Sequence, residues 1–208
     1  RQLVDESAAI FALRAEVKAL RFFVNVDIRV PQFVMGDPTR IRQVLTNLLN
    51  NAFKFTEQGG ITLVVSVDSG NNQLVFSVQD SGIGMTAETV ARLFSPYMQA
   101  TAGTARKFGG TGLGLSICKH LAEMMGGSIG ATSQPEAGSQ FRFALPLPED
   151  VDANAAVREM YSIPPRFSAL QVVSADAALM KMMAAYARHL GLSFGAFYNI
   201  SALAEANP

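Results

Sequence analysis

Five polar residues, Arg40, Gln43, Asn47, Asn51 and Lys54, recur three or four positions apart. On a helix turning about 100° per residue they share one stripe about 80° wide. The apolar residues Ile41, Leu45, Leu48, Leu49, Ala52 and Phe53 form the opposite, core-facing stripe. A plain amphipathic helix has the same pattern, but the amides add chemistry suited to magnesium. That hard cation accepts an uncharged carbonyl oxygen and keeps its other positions for phosphate oxygens and water. Lys54, one turn beyond Asn51, places an ammonium where phosphates would lie, as a point charge.

Two glycine-rich segments offer complementary chemistry. In Asp80-Ser81-Gly82-Ile83-Gly84-Met85, a carboxylate at a strand end can accept a hydrogen bond from an exocyclic amine such as that of adenine. Its two glycines let backbone approach a flat base closely; as a lone signal such a turn is far more often an ordinary loop than a nucleotide site. In Phe108-Gly109-Gly110-Thr111-Gly112-Leu113-Gly114-Leu115, bare backbone opening a helix offers N–H groups and a favourable dipole to phosphate oxygens. No Lys-Ser or Lys-Thr follows, so this is not a Walker A loop. Residues 101–107 read as a loop rather than a parallel strand, which does not suit a dinucleotide fold.

The elements that must position these groups follow from periodicity and punctuation. Val4, Ala8, Phe11, Ala15 and Ala19 recur at helical spacing within 3–20, and 21–30 alternates as a strand that Pro31 ends. Asp37 reads as an N-cap with Pro38 at the first helical position, starting a helix that runs to about Phe55. Strands over 61–67 and 73–79 flank a turn of Asp68-Ser69-Gly70-Asn71-Asn72, a hairpin. A short helix is expected over 87–94 and a longer one over 113–125, which Gly126-Gly127 ends. Strands over 128–133 and 140–147 complete a two-layer α/β sandwich, a mixed and mainly antiparallel sheet covered by helices.

Composition narrows the function classes. The 208 residues, 49% of them hydrophobic, can bury one full core and part of another. Equal numbers of basic and acidic residues, 17 each, give no overall pull toward nucleic acid or an anionic membrane. The single cysteine, Cys118, excludes an internal disulfide framework and favours a reducing, cytoplasmic setting. The longest apolar runs fall short of the roughly 18 to 20 residues that span a bilayer. The opening residues, Arg1-Gln2-Leu3-Val4-Asp5-Glu6, read as the middle of a longer protein, so the full-length molecule can still carry a membrane anchor.

Taken in order, NLLNNAFKFT (47–56), DSGIGM, LFSPYMQA (93–100) and GGTGLGLSI (109–117) resemble the N, G1, F and G2 boxes of sensor histidine kinases. GDPTRIRQVL before them and GGSIGATS and GSQFRFALPL after them extend the likeness over 3–147. The resemblance implies a Bergerat-type ATP-binding fold of the GHKL class and transfer of the ATP γ-phosphoryl group to a histidine on a dimeric helical hairpin. It implies ATP and Mg2+ as cofactors, Asn51 as the magnesium ligand, and Asn47 and Lys54 as the catalytic contacts facing the phosphates. Phe55 would stack near the adenine, Asp80 would bind its amine, and Gly82 and Gly84 would hinge the loop beneath it. Arg106 and Lys107 would be lid cations, Phe94 and Tyr97 would pack the base of the lid, and Gly110, Thr111, Gly112, Leu113, Gly114 and Leu115 would wrap the triphosphate.

Neither His120 nor His189 has the neighbours of that family's acceptor motif. The acceptor hairpin, through which the full-length protein would form a homodimer, is therefore expected elsewhere, with a response regulator or receiver domain as a further partner. The same nucleotide fold occurs in the Hsp90, MutL and gyrase ATPases, which supply the competing reading together with a nucleotide-binding pseudokinase. The segment Phe94-Ser95-Pro96-Tyr97 and the GGTGLGL loop favour two-component signalling. After 1–148 as the catalytic domain, 149–166 reads as a linker. Residues 167–208 resemble the beginning of a flavodoxin-like receiver domain, strand 169–174, helix 177–190 and strand 193–197. Receivers follow their first strand with a pair of acids that bind magnesium; here Ser174-Ala175 stands before the single Asp176. That departure implies a degenerate module that docks or regulates, with an allosteric ligand as one possibility.

Overall fold

The computed structural model describes residues 1–96, 112–147 and 168–197. The chain divides into two compact units, Arg1–Asp150 and Val151–Pro208. In the first, α1 (Gln2–Val17), β1 (Arg21–Val26), α2 (Pro38–Phe55), β2 (Gly60–Asp68), β3 (Gln73–Asp80), α3 (Ala87–Arg92), α4 (Gly114–Met124), β4 (Ser128–Gln134) and β5 (Gly138–Pro146) follow in order. The five strands form one sheet in the order β1-β2-β3-β5-β4. β1 and β2 run parallel and the other neighbours antiparallel, which is the mixed sheet that the sequence predicts.

Alternate strand residues, Ile61, Leu63 and Val65 on β2, Phe76 and Val78 on β3, and Phe141 and Phe143 on β5, enter one core. The helices close it with Phe11 and Ala15 of α1, Leu45, Leu48, Leu49, Ala52 and Phe53 of α2, and Cys118 and Ala122 of α4. Burial at strand period two on one side and helical period on the other is what a two-layer sandwich requires.

Helix α2 carries the whole polar stripe, and its placement is fixed at both ends. The Asp37 carboxylate accepts from the Thr39 and Arg40 amides at 2.9 and 3.1 Å, and Pro38 fills the first turn, so the start of the helix has its donors satisfied. Near the other end Phe53 stacks on Phe11 at 5.3 Å and meets the edge of Phe22 at 5.5 Å. The Lys18 ammonium donates to the Phe53 carbonyl at 2.6 Å, which suits a cation at a helix C-terminus.

The strand expected over 21–30 ends at Val26. Asp27 stops it: its carboxylate accepts from the Arg29 amide at 2.9 Å and its carbonyl from the Val30 amide at 3.0 Å. This local turn takes the backbone out of the ladder although the apolar alternation continues.

In the second unit, β6 (Ala169–Val173), α5 (Ala177–His189) and β7 (Ser193–Phe197) make a strand-helix-strand unit whose strands pair in parallel, Ala169 opposite Ser193 and Val173 opposite Phe197. The expected linker, 149–166, lies outside the described residues.

Candidate functional site

Two clusters meet along the last two turns of α2. In the first, the Asn51 side-chain amide donates from Nδ2 to Asn47 Oδ1 at 3.3 Å. Asn51 has therefore committed its nitrogen to its neighbour, and its own Oδ1 is the atom suited to a cation. Gly114, the first residue of α4, lies against the Asn47 amide: a Cβ there would sit 2.7 Å from Asn47 Nδ2 and 2.9 Å from Oδ1. Glycine at 114 is thus what lets the third loop approach the amides. The N-terminus of α4 has no side-chain cap, the arrangement in which helix N–H groups suit an anion. Lys54 holds its ammonium 5.1 Å above the Phe55 ring, a cation–π contact.

The second cluster surrounds Asp80, which ends β3 and is only 6% exposed. Its Oδ1 accepts from the Gly82 amide at 2.9 Å, and Ser139, opposite it on β5, also hydrogen-bonds the carboxylate. Burial nonetheless raises the carboxyl above its ordinary value of 3.8, the hydrogen bonds from Gly82 and Ser139 opposing the shift. A buried carboxylate with an unpaired charge is costly, so its presence at a strand end beside a glycine loop points to a ligand role.

The loop after Asp80 is held on both sides. The Ile83 amide donates to the Phe55 carbonyl at 3.3 Å, and the Glu136 amide donates to the Ile83 carbonyl at 2.8 Å. A Cβ on Gly82 would lie 2.3 Å from the Phe55 carbonyl oxygen, and one on Gly84 1.8 Å from the Gln134 carbonyl oxygen. Backbone is thus packed against backbone from the end of α2 across to the β4–β5 turn. The Met85 amide then donates to Ser133 Oγ at 2.8 Å.

The family model described as histidine kinase-, DNA gyrase B-, and HSP90-like ATPase matches residues 36–149. The chain belongs to that family. The chain is similar to the sensor histidine kinase RcsC of Escherichia coli (strain K12), 42% identical over 147 residues, and to the sensor protein GacS of Pseudomonas syringae pv. syringae, 43% identical over 152. These matches cover 71% and 72% of the chain but only 15% and 17% of those two proteins. Among solved structures, full-length ShkA in complex with AMPPNP matches with a TM-score of 0.73 at 31% identity, covering 98% of this chain and 41% of that one. The catalytic domain of the histidine kinase ThkA matches with a TM-score of 0.60 at 31% identity, covering 71% and 94%.

Within the ATPase family region, Asn47, Asn51 and Gly114 come together, and so do Phe55, Asp80 and Gly82. Gly84 faces the β4–β5 turn, and Phe94 and Leu115 are half-buried against the core. Gly112 takes φ 71°, the left-handed region, one residue before Leu113 caps α4. Tyr97, Arg106, Lys107, Gly110 and Thr111 lie outside the described residues. Two serines escaped the sequence reading, Ser133 and Ser139. Both lie on strands whose alternation marks them only as polar positions, and nothing in the spacing says that β5 pairs with β3.

Proposed function

We propose that this chain is the ATP-binding catalytic part of a hybrid sensor histidine kinase, passing the γ-phosphoryl group of Mg-ATP to a histidine on a helical hairpin of the same protein. The observation that carries the reading is the buried Asp80 carboxylate beside Gly82, one side of the same helix end that presents Asn47 and Asn51. The chemistry of two amides, a carboxylate and a helix N-terminus suits one adenine nucleotide, base at Asp80 and phosphates at α4. The named kinase relatives and the AMPPNP complex of ShkA support the same nucleotide.

The donor set fits magnesium. Among the described residues no cluster of three His, Cys, Asp or Glu side chains exists to hold a metal, and a lone amide oxygen suits an ion held mainly by phosphates and water. Asn51 would hold it through Oδ1, with Asn47 fixing the orientation of that amide. Bound there, the ion would neutralise charge on the phosphoryl oxygens. Lys54 would leave the Phe55 ring for the phosphates, freeing that ring for the adenine, while Gly112, Gly114 and the α4 N-terminus would orient the triphosphate. Arg106 and Lys107 would add lid cations.

The direct test is phosphotransfer from Mg-ATP to an added acceptor hairpin, read as acid-labile phosphohistidine; its absence with a competent hairpin would overturn the kinase reading. Calorimetric titration tests the metal separately. Asn51→Ala is expected to leave metal-free ATP binding within about twofold and to remove most of the gain that magnesium gives, about tenfold. Equal magnesium gain in both proteins would remove Asn51 from the metal.

The second unit fits a degenerate receiver. Asp176, the acid between β6 and α5, accepts from the Leu179 amide at 3.0 Å, and its own amide donates to Ser174 Oγ at 3.0 Å. A helix-capping acid without an acidic neighbour is a poor magnesium site, so the unit would dock or regulate. Magnesium-dependent phosphorylation within this unit would refute that assignment. Among the described residues no helix is long and apolar enough to cross a membrane; we place the catalytic part on the cytoplasmic side of a protein that is dimeric through its hairpin.

A further inference from the structure

Ser133 reaches no position assigned to the nucleotide, yet two backbone groups and a second hydroxyl converge on its own. Ser133 Oγ accepts from the Met85 amide at 2.8 Å, donates to the Gly138 carbonyl at 2.7 Å and lies 3.1 Å from Ser139 Oγ. Met85 ends the loop that begins at Asp80. Gly138 begins β5, and the next residue, Ser139, stands directly opposite Asp80 in the β3–β5 register. A hydroxyl has one hydrogen and two lone pairs. That hydrogen is shared between the Gly138 carbonyl, the nearer acceptor, and Ser139 Oγ, and a lone pair accepts from the Met85 N–H.

The loop is tethered to the β4–β5 turn at two points, by the Glu136 amide on the Ile83 carbonyl at 2.8 Å and by the Met85 amide on Ser133. Between them stands Gly84, with φ 64°, where the chain reverses. Two tethers on either side of a reversal fix its orientation, whereas one leaves it free to pivot. A pivot there swings Gly82 and Ile83 relative to the Asp80 carboxylate that Gly82 hydrogen-bonds.

We propose that Ser133 is a positioning residue for base recognition, clamping the Asp80–Met85 loop to the strand that hydrogen-bonds Asp80, so that discrimination of adenine from guanine depends on its hydroxyl. The inference rests on the reading of Asp80 as the acceptor of the adenine amine. Guanine carries a carbonyl where adenine carries that amine and gains nothing from a well-placed carboxylate, so loss of the clamp weakens ATP selectively.

The experiment measures ATP and GTP dissociation constants for the 208-residue chain, its Ser133→Ala and Ser133→Thr variants and Asp80→Asn, with thermal unfolding alongside. Ser133→Ala is expected to weaken ATP about tenfold and GTP less than twofold, lowering the ATP:GTP preference, and Ser133→Thr to restore it. An unchanged preference in Ser133→Ala, or equal weakening of both nucleotides, overturns the inference, and so does a preference that Ser133→Thr lowers just as much, which would assign the effect to packing. Should Ser133→Ala not fold, Ser133→Cys keeps the volume, replaces a good acceptor with a weak one, and reads the same ratio. If the parent chain itself shows no preference and Asp80→Asn changes nothing, the adenine reading of Asp80 fails, a result distinct from failure of the clamp alone.

Discussion

Asp80→Asn is expected to lower ATP affinity about 100-fold, because a hydrogen bond to a charged acceptor is worth about 1.5 to 3 kcal/mol and the substituted amide also turns a donor toward donors. The Gly82 amide and Ser139 both hydrogen-bond this carboxylate. An asparagine side chain can satisfy one of them with its oxygen but must then present N–H where an acceptor stood. Titration calorimetry on the parent and the variant measures the loss, and unchanged affinity would remove Asp80 from the base subsite. The parent has a pH signature of its own. The acceptor is the ionised carboxylate, and burial raises its pKa above 3.8. ATP affinity is therefore full above that raised value and falls as pH drops through it, so burial moves the acid limb of binding upward from 3.8. Asp80→Asn removes the limb along with the affinity. For folding the linkage runs the other way: a carboxyl whose folded-state pKa is raised contributes most below 3.8, and the contribution is lost as pH rises through the folded value. The site is thus built against its own stability at neutral pH, a cost that nucleotide binding offsets.

The sequence made α2 legible because three independent signals agreed on it. Asp37 and Pro38 mark its start, Leu45, Leu48, Leu49 and Ala52 keep one helical face apolar, and Asn47 and Asn51 interrupt only the other face. The same logic overran β1, where Ile28 and Val30 continue the apolar alternation while Asp27 turns the backbone. Periodicity records which face a residue takes and says nothing of a side chain that competes for the ladder's hydrogen bonds. Ser133 and Ser139 went unread for a different reason. Asp80 and Ser139 are far apart in sequence and become neighbours only because β5 inserts between β3 and β4, and register between strands that are not successive leaves no periodic trace. Lys54 illustrates a third limit: its charge and spacing suggest phosphates, whereas in the structure the ammonium lies over the adjacent Phe55 ring. Glycines fall between these cases. Gly82, Gly84, Gly114 and Gly130 are equally visible as letters, yet a Cβ at 130 would meet nothing within 4 Å, while each of the others faces a close neighbour.

That contrast makes Gly84→Ala the sharpest test of the loop. At φ 64° an alanine pays a backbone penalty of about 1 kcal/mol, and its methyl carbon would begin 1.8 Å from the Gln134 carbonyl oxygen. The neighbour is backbone in a turn that Ser133 and Gly138 already fix, with no flexible side chain to swing aside. Relief therefore requires the loop to leave the turn, breaking the Met85–Ser133 or Glu136–Ile83 hydrogen bond, and overpacking of this kind costs a further 1 to 3 kcal/mol, roughly. We expect Gly84→Ala to destabilise the chain by about 2 to 4 kcal/mol, a fall in Tm of about 5 to 15 °C, and to abolish measurable ATP binding because Gly82 moves with the loop. Gly130→Ala, in the same unit and also on the sheet, should shift stability by no more than about 0.5 kcal/mol. Parallel thermal unfolding and ATP titration of the two variants read both effects. A Gly84→Ala protein as stable and as competent for ATP as Gly130→Ala would mean that the loop does not rest on the β4–β5 turn, and the path from that turn through Asp80 to the end of α2 would have to be redrawn.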